Sequence, residues 1–192
     1  MKKILPILVL VVVFGIAAPV VFKADISKEP LAAPMPAPTE APLNITTSTE
    51  VRSPNGSMTL TMKETKKSDG TILYSFLASN DKTDNLEIYS KTLTRGKMSV
   101  PANSWSPDNK HLFIVENDGI SDNYLIFKAT GEAFADGSTY IDFKSHYNKK
   151  MTEYALKDVT GWDAPDLLHV RTSGPSYWLE LGSNAFYRLV QR

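Results

Sequence analysis

Apolar and polar residues alternate along most of the chain after residue 44, which is the pattern of half-buried β-strands. Met58-Thr59-Leu60-Thr61-Met62 places its three apolar side chains on one face. Further segments rich in strand-forming residues lie at 71–77, 86–89, 112–115, 124–127, 167–170 and 177–181. Turn sequences such as Ser68-Asp69-Gly70 and Asn117-Asp118-Gly119 separate these segments. Apart from one short helix predicted over 140–147, the pattern predicts an all-β domain.

The N-terminus is apolar in a different way. Met1-Lys2-Lys3 precedes Ile4–Phe22, a run of 19 residues without a charged side chain. About 20 helical residues cross the hydrocarbon core of a membrane, so residues 1–23 are predicted to form a transmembrane anchor. The two lysines place the bulk of the chain outside the cytoplasm. The alternative is a signal peptide that is cleaved to release a secreted protein, but Pro19 blocks cleavage after Ala18.

A proline-rich segment follows the apolar run. Five of the fifteen residues in Glu29–Leu43 are proline, which favours an extended polyproline II spacer. The predicted organisation is therefore an anchor or signal segment at 1–23, a linker at 24–43 and an extracytoplasmic all-β domain at 44–192. The chain has 21 basic and 21 acidic residues and no basic stretch, which argues against a nucleic-acid partner.

Three segments of the domain begin alike. They are Arg52-Ser53-Pro54-Asn55-Gly56, Trp105-Ser106-Pro107-Asp108-Asn109 and Trp162-Asp163-Ala164-Pro165-Asp166, and each leads into a strand. The prolines are 53 and 58 residues apart, a spacing typical of repeated β units. We expect the two tryptophans to pack between neighbouring units. The alternative is a β-sandwich whose hairpins reuse the same turn residues.

The middle copy resembles the blade repeat of TolB-type β-propellers, which is WD-like. Trp105-Ser106-Pro107-Asp108-Asn109-Lys110 is followed by an apolar strand, then by Tyr124 and Thr130-Gly131. Asn109 replaces the usual glycine and tolerates the same left-handed conformation. Arg52 departs from the pattern because it replaces the tryptophan. The resemblance implies antiparallel blades and protein binding in the cell envelope, without naming a partner.

Closed propellers have four to eight blades, and the sequence shows three units. A fourth unit could therefore lie in 136–158, or the sheets could have open edges that pair with another chain. The exposed edges are predicted near Ser48–Val51 and Phe186–Val190. The C-terminal strand is expected either to complete the N-terminal unit or to join a partner chain, so oligomers are possible.

The sequence offers no catalytic or cofactor-binding motif. Cysteine is absent, and the three histidines lack the close spacing of a metal site. No Gly-x-Ser-x-Gly elbow is present. A hydrolase with two carboxylates remains an alternative, and its candidates are Glu116, Asp118, Asp122, Asp163 and Asp166.

The aromatic residues suggest a binding role instead. Trp162, Tyr177 and Trp178 are candidates for contact with a partner, which would be an envelope protein or a glycan. Because side chains alternate along a strand, Tyr177 and Trp178 are expected on opposite faces. The sequence therefore predicts a membrane-anchored binding or scaffold module without catalysis, and the alternative is a cell-surface carbohydrate-active or hydrolytic protein.

Overall fold

The structure, a computed structural model, describes residues 44–190. The predicted anchor at 1–23 and the linker at 24–43 lie outside the described residues, as do residues 191–192. Among the helices of the described part, none is long and apolar enough to cross a membrane.

The strands follow one another as three four-stranded antiparallel meanders, so the domain is all-β as the alternation predicted. The first sheet contains β1 (Ile45–Arg52), β2 (Met58–Lys66), β3 (Ile72–Asn80) and β4 (Leu86–Leu93). The second contains β5 (Lys97–Ser99), β6 (His111–Asn117), β7 (Asp122–Lys128) and β8 (Ile141–Asp142). The third contains β9 (Leu156–Ala164), β10 (Leu167–Thr172), β11 (Tyr177–Glu180) and β12 (Ala185–Arg188).

The second sheet lies between the other two and is buried on both faces. Leu112, Ile114, Leu125 and Phe127 pack with Leu60, Tyr74 and Phe76 of the first sheet. Phe113, Tyr124 and Ile126 point the other way and pack with Leu168, Val170 and Leu179 of the third sheet. This explains why β6 and β7 are continuous apolar runs, whereas strands with one solvent-facing side alternate.

The first two repeat turns share their hydrogen bonds atom for atom. Ser53 Oγ accepts a bond from the Met58 N–H, and Ser106 Oγ accepts one from the His111 N–H. Gly56 and Asn109 occupy the same turn position with φ of 73° and 61°. This left-handed region suits glycine and asparagine, so the turn chemistry explains the repeated sequence. The third copy turns more tightly, because Trp162 pairs with Leu168 six positions on, whereas Trp105 pairs with Leu112 seven positions on.

The tryptophans of the repeat lie at the junctions between sheets, as the repeat predicted. The Trp105 indole is 4% exposed and donates from Nε1 to the Val51 carbonyl of the first sheet. The indole of Trp162 donates in the same way to the Ser104 carbonyl, which precedes the second sheet's central strands. Val51 directly precedes Arg52, and Ser104 directly precedes Trp105, which are the first residues of the first and second repeat segments. The same indole-to-carbonyl contact is therefore repeated at both junctions.

Two expectations about the end of the domain are corrected. β12 pairs with β11 and β1 pairs with β2, so among residues 44–190 the C-terminal strand does not complete the N-terminal sheet. No fourth unit lies in 136–158 either, because that segment forms β8, α1 (Phe143–Lys150) and the beginning of β9. The predicted helix exists but begins three residues later, since Asp142 caps it by accepting from the Ser145 N–H.

Candidate functional site

The candidate site is the face of the third sheet that points away from the second sheet. Cross-strand pairing sets His169 opposite Trp178 and Trp178 opposite Tyr187, so these three side chains form one row across β10, β11 and β12. Leu167 and Glu180 pair on the same side. We call these five residues the outward face of the third sheet.

One carboxylate orients the two central rings of this face. Asp163 Oδ2 accepts a hydrogen bond of 2.6 Å from Trp178 Nε1 and lies 3.3 Å from His169 Nδ1. The indole N–H of Trp178 thus has its hydrogen-bond partner within the same chain. The apolar part of this half-buried ring faces solvent. A tryptophan fixed in this way presents a rigid apolar contact at low entropic cost.

Tyr187 extends the apolar surface to the edge of the sheet. Its side chain is 51% exposed on β12, the edge strand, and it is the cross-strand neighbour of Trp178. Neighbouring aromatic side chains on one sheet face form a contiguous patch. Large partly exposed aromatics of this kind are typical of interaction surfaces.

Charged groups flank the row on both sides. A hydrogen bond from the Ser183 side chain, together with bonds from the backbone N–H groups of Ser183 and Gly182, lowers the pKa of the Glu180 carboxyl. Arg171, at the other end of β10, is 57% exposed and pairs with Asp158 at 3.2 Å. Along the strand direction the surface therefore runs from acidic through aromatic to basic.

The structure separates the three residues that the sequence nominated. Only Trp178 faces outward. Tyr177 is 7% exposed and packs toward the second sheet, and Trp162 lies between the sheets with its ring stacked 6.0 Å from His111. The opposite orientations of Tyr177 and Trp178 are confirmed.

The sequence reasoning missed the partners of Trp178. The sequence predicts Asp163 as a repeat residue and a candidate acid, and it predicts neither His169 nor Tyr187 as a contact residue. Alternation along β10 does put His169 on the same face as Leu167, but only the register between strands sets His169 beside Trp178.

The candidate hydrolytic acids each have a local partner. Glu116 pairs with Lys91 at 2.5 Å, and Asp166 lies 3.5 Å from His111. Asp122 accepts from the Asn117 side chain, and Asp118 accepts from the backbone N–H groups of Ile120 and Ser121. These two backbone bonds lower the pKa of Asp118, whereas a catalytic acid of this class needs a raised pKa. Residues 44–190 also contain no group of three or more acidic or histidine side chains arranged for a metal ion.

A concave region lies between the second and third sheets. It measures about 580 Å³ and is lined by polar side chains that include Lys97, Asn103, Asp122 and Asp158. Tyr124 OH donates to Asp158 Oδ1 at 3.0 Å, and burial raises the pKa of this tyrosine to about 12. The phenol therefore stays protonated and serves as a fixed donor that holds the two sheets together.

Comparison with known proteins adds no assignment, because no family model, curated protein or solved structure matches the chain.

Proposed function

We propose that the protein is a membrane-anchored, extracytoplasmic binding or scaffold module that contacts a protein partner through the outward face of the third sheet. The observation that carries this proposal is the row of His169, Trp178 and Tyr187 on an uncovered sheet face, with Asp163 holding the indole in place. The module has no catalytic part in this proposal, since its aromatic face supplies contact area rather than a reactive group.

The blade-like organisation supports the resemblance to TolB-type repeats. A four-stranded antiparallel meander is the architecture of a propeller blade, and the domain stacks three of them in chain order. The shared turn bonds of Ser53 and Ser106, and the repeated tryptophan-to-carbonyl contact, support a common unit. In this proposal the blades form a rigid platform.

The position at the membrane rests on the sequence. The uncharged run over 4–22 supplies the anchor, and the proline-rich linker holds the domain away from the bilayer. A polyproline II segment extends about 3.1 Å per residue, so fifteen residues reach roughly 45 Å. This distance leaves room for a partner protein to approach the third sheet.

The test is site-specific photocrosslinking in the cells that make the full chain. A photoreactive amino acid at Tyr187 should give an adduct with a protein that mass spectrometry identifies, and Trp178→Ala should reduce its yield at least tenfold. The same amino acid at Ser48, an exposed position of the first sheet, is the matched control. A glycan adduct, or a Tyr187 yield no higher than that from Ser48, would overturn the proposal.

A further inference from the structure

At matching positions of the repeat, the first sheet differs chemically from the other two. The first residue of each repeat segment pairs with a residue of the following strand. Arg52 pairs with Thr59 in the first sheet, Trp105 with Leu112 in the second and Trp162 with Leu168 in the third. Two residues further along each strand stand Thr61, Ile114 and Val170. The side of the first sheet that faces away from the second sheet thus carries hydroxyl groups where the other sheets bury aliphatic side chains.

The cross-strand neighbour of Thr59 repeats this contrast, whereas the neighbour of Thr61 is the aliphatic Leu77. Ser79 of the first sheet stands opposite Thr59, where the second and third sheets have Phe127 and Leu179. Terminal units of stacked repeats need a polar outer face, and the first sheet has one. The free side of the third sheet instead combines Leu167, Trp178 and Tyr187 with polar neighbours, so it presents an apolar patch that a partner can cover.

The charge order on this free side is self-complementary. His169 on β10 and Trp178 on β11 belong to the central row. Leu167 on β10 and Glu180 on β11 lie two residues away from the row in one direction, and Arg171 on β10 lies two residues away in the other. A two-fold axis along the central row reverses the strand direction of a second copy. Such an axis sets Arg171 of each copy over Leu167 of the other, with Glu180 on the neighbouring strand within reach of the guanidinium, and sets the aromatic rows against each other.

We propose that the outward face of the third sheet joins two copies of this chain face to face about that axis. This inference rests on the proposed function and names its partner as a second copy. Faces of this kind pack about 10 Å apart, so the two Trp178 rings fill the space between them. An isologous contact of this type is the commonest way in which proteins dimerise.

Both flanking charges retain bonding capacity for the partner. Arg171 uses one guanidinium nitrogen toward Asp158, and a guanidinium carries five N–H donors. Each Glu180 oxygen accepts one backbone bond, and with the additional bond from the Ser183 side chain the carboxylate still keeps a lone-pair site for a partner. The intermolecular pair therefore needs no existing bond to break.

The experiment uses the absence of cysteine from the natural chain. Tyr187 lies on the proposed axis, so a single Tyr187→Cys substitution faces its own copy across the interface. The full chain, purified in detergent micelles, should form a covalent dimer with a short bis-maleimide, and the yield should not change on tenfold dilution. Ser48→Cys on the first sheet and Ile120→Cys, a loop residue that is 86% exposed, are matched controls and should give at least tenfold less dimer.

Light scattering on cysteine-free variants gives an independent measurement. The natural chain should have the protein mass of two copies. Trp178→Ala and Arg171→Glu should raise the dissociation constant at least tenfold while the far-UV circular dichroism spectrum stays unchanged. Arg52→Glu changes an exposed cation on the polar first sheet and should leave the dimer intact.

The outcomes separate this inference from the proposed function. A protein mass of one copy, together with a Tyr187 photoadduct to a different protein, overturns the dimer and leaves the proposed function standing. A protein mass of one copy with no Tyr187 adduct overturns both. Loss of the dimer in Arg52→Glu but not in Trp178→Ala assigns the contact to the first sheet and also overturns the inference.

Discussion

The ring of Phe186 on the last strand meets the ring of Tyr147 on α1 edge to face, with centroids 5.5 Å apart and planes inclined at 89°. The same phenylalanine lies 6.1 Å from Phe143 and stacks on His146 at 5.6 Å. Phe143 and Tyr147 are almost completely buried. β12 therefore covers the helix, although it stands at the edge of its sheet.

Removal of 184–192 is expected to destabilise the whole domain, because the helix loses its cover. Phe186→Ala alone should lower the free energy of unfolding by about 3 kcal/mol, the low end for a core phenylalanine because this ring is only partly buried. Chemical denaturation measures both effects. Tyr187→Ala, the adjacent substitution on the opposite face, is the control and should cost less than about 1 kcal/mol. A truncated domain that unfolds like the parent would contradict this role for β12.

The junction tryptophans should matter more for stability than Trp178. Trp105→Ala and Trp162→Ala each remove a ring packed between sheets and leave a backbone carbonyl without its indole donor. Each should lower the free energy of unfolding by about 3–5 kcal/mol, whereas Trp178→Ala should cost about 1–2 kcal/mol. Thermal and urea unfolding test this order. Equal losses for all three substitutions would count against the junction model.

Asn109 should tolerate glycine but not a β-branched residue. Its φ of 61° lies in the left-handed region, where a bulky side chain costs about 1–2 kcal/mol. Asn109→Gly should therefore leave the melting temperature nearly unchanged, and Asn109→Val should lower it. If valine is tolerated as well as glycine, the repeat turn does not depend on this conformation.

Stability should decrease as the pH falls below the ordinary histidine pKa of about 6.5. Burial lowers the pKa of His146, with Lys150 adding to the effect, and burial also lowers the pKa of His111 against the opposing effect of Asp166. A folded-state pKa below the unfolded value means that the unfolded chain binds the proton more strongly. The stabilisation is thus complete above pH 6.5 and is lost as the pH falls toward the folded values.

Urea unfolding at pH 7.5 and pH 5 measures this dependence. His146→Gln and His111→Gln should each reduce the difference in unfolding free energy between the two pH values, whatever they do to stability at pH 7.5. If neither substitution changes that difference, the buried histidines are not its source.

The predicted boundary at residue 44 can be tested directly. The 44–192 fragment should be soluble and monodisperse, with a β-rich circular dichroism spectrum, because the described sheets pack with one another. The full chain should need detergent, since it keeps the uncharged run over 4–22. Aggregation of the fragment would place the boundary elsewhere.

Local patterns predicted much of the fold. Alternation and short apolar runs located seven of the strands, and the turn residues located the repeat, because these signals depend on neighbours along the chain. The short strands β5 and β8 were not predicted, since three and two residues are too few to show a period. The helix was predicted three residues early because its beginning depends on the Asp142 cap, which competes with the continuing strand.

The outward face of the third sheet could likewise be predicted only in part from the sequence. The sequence by itself determined that Tyr177 and Trp178 point to opposite sides, because successive side chains of a strand alternate. Only the tertiary structure decided which side is buried, since that depends on where the second sheet packs. It also decided that Asp163 and His169 meet Trp178, because the pairing register of β9, β10 and β11 joins residues that alternation alone leaves unrelated.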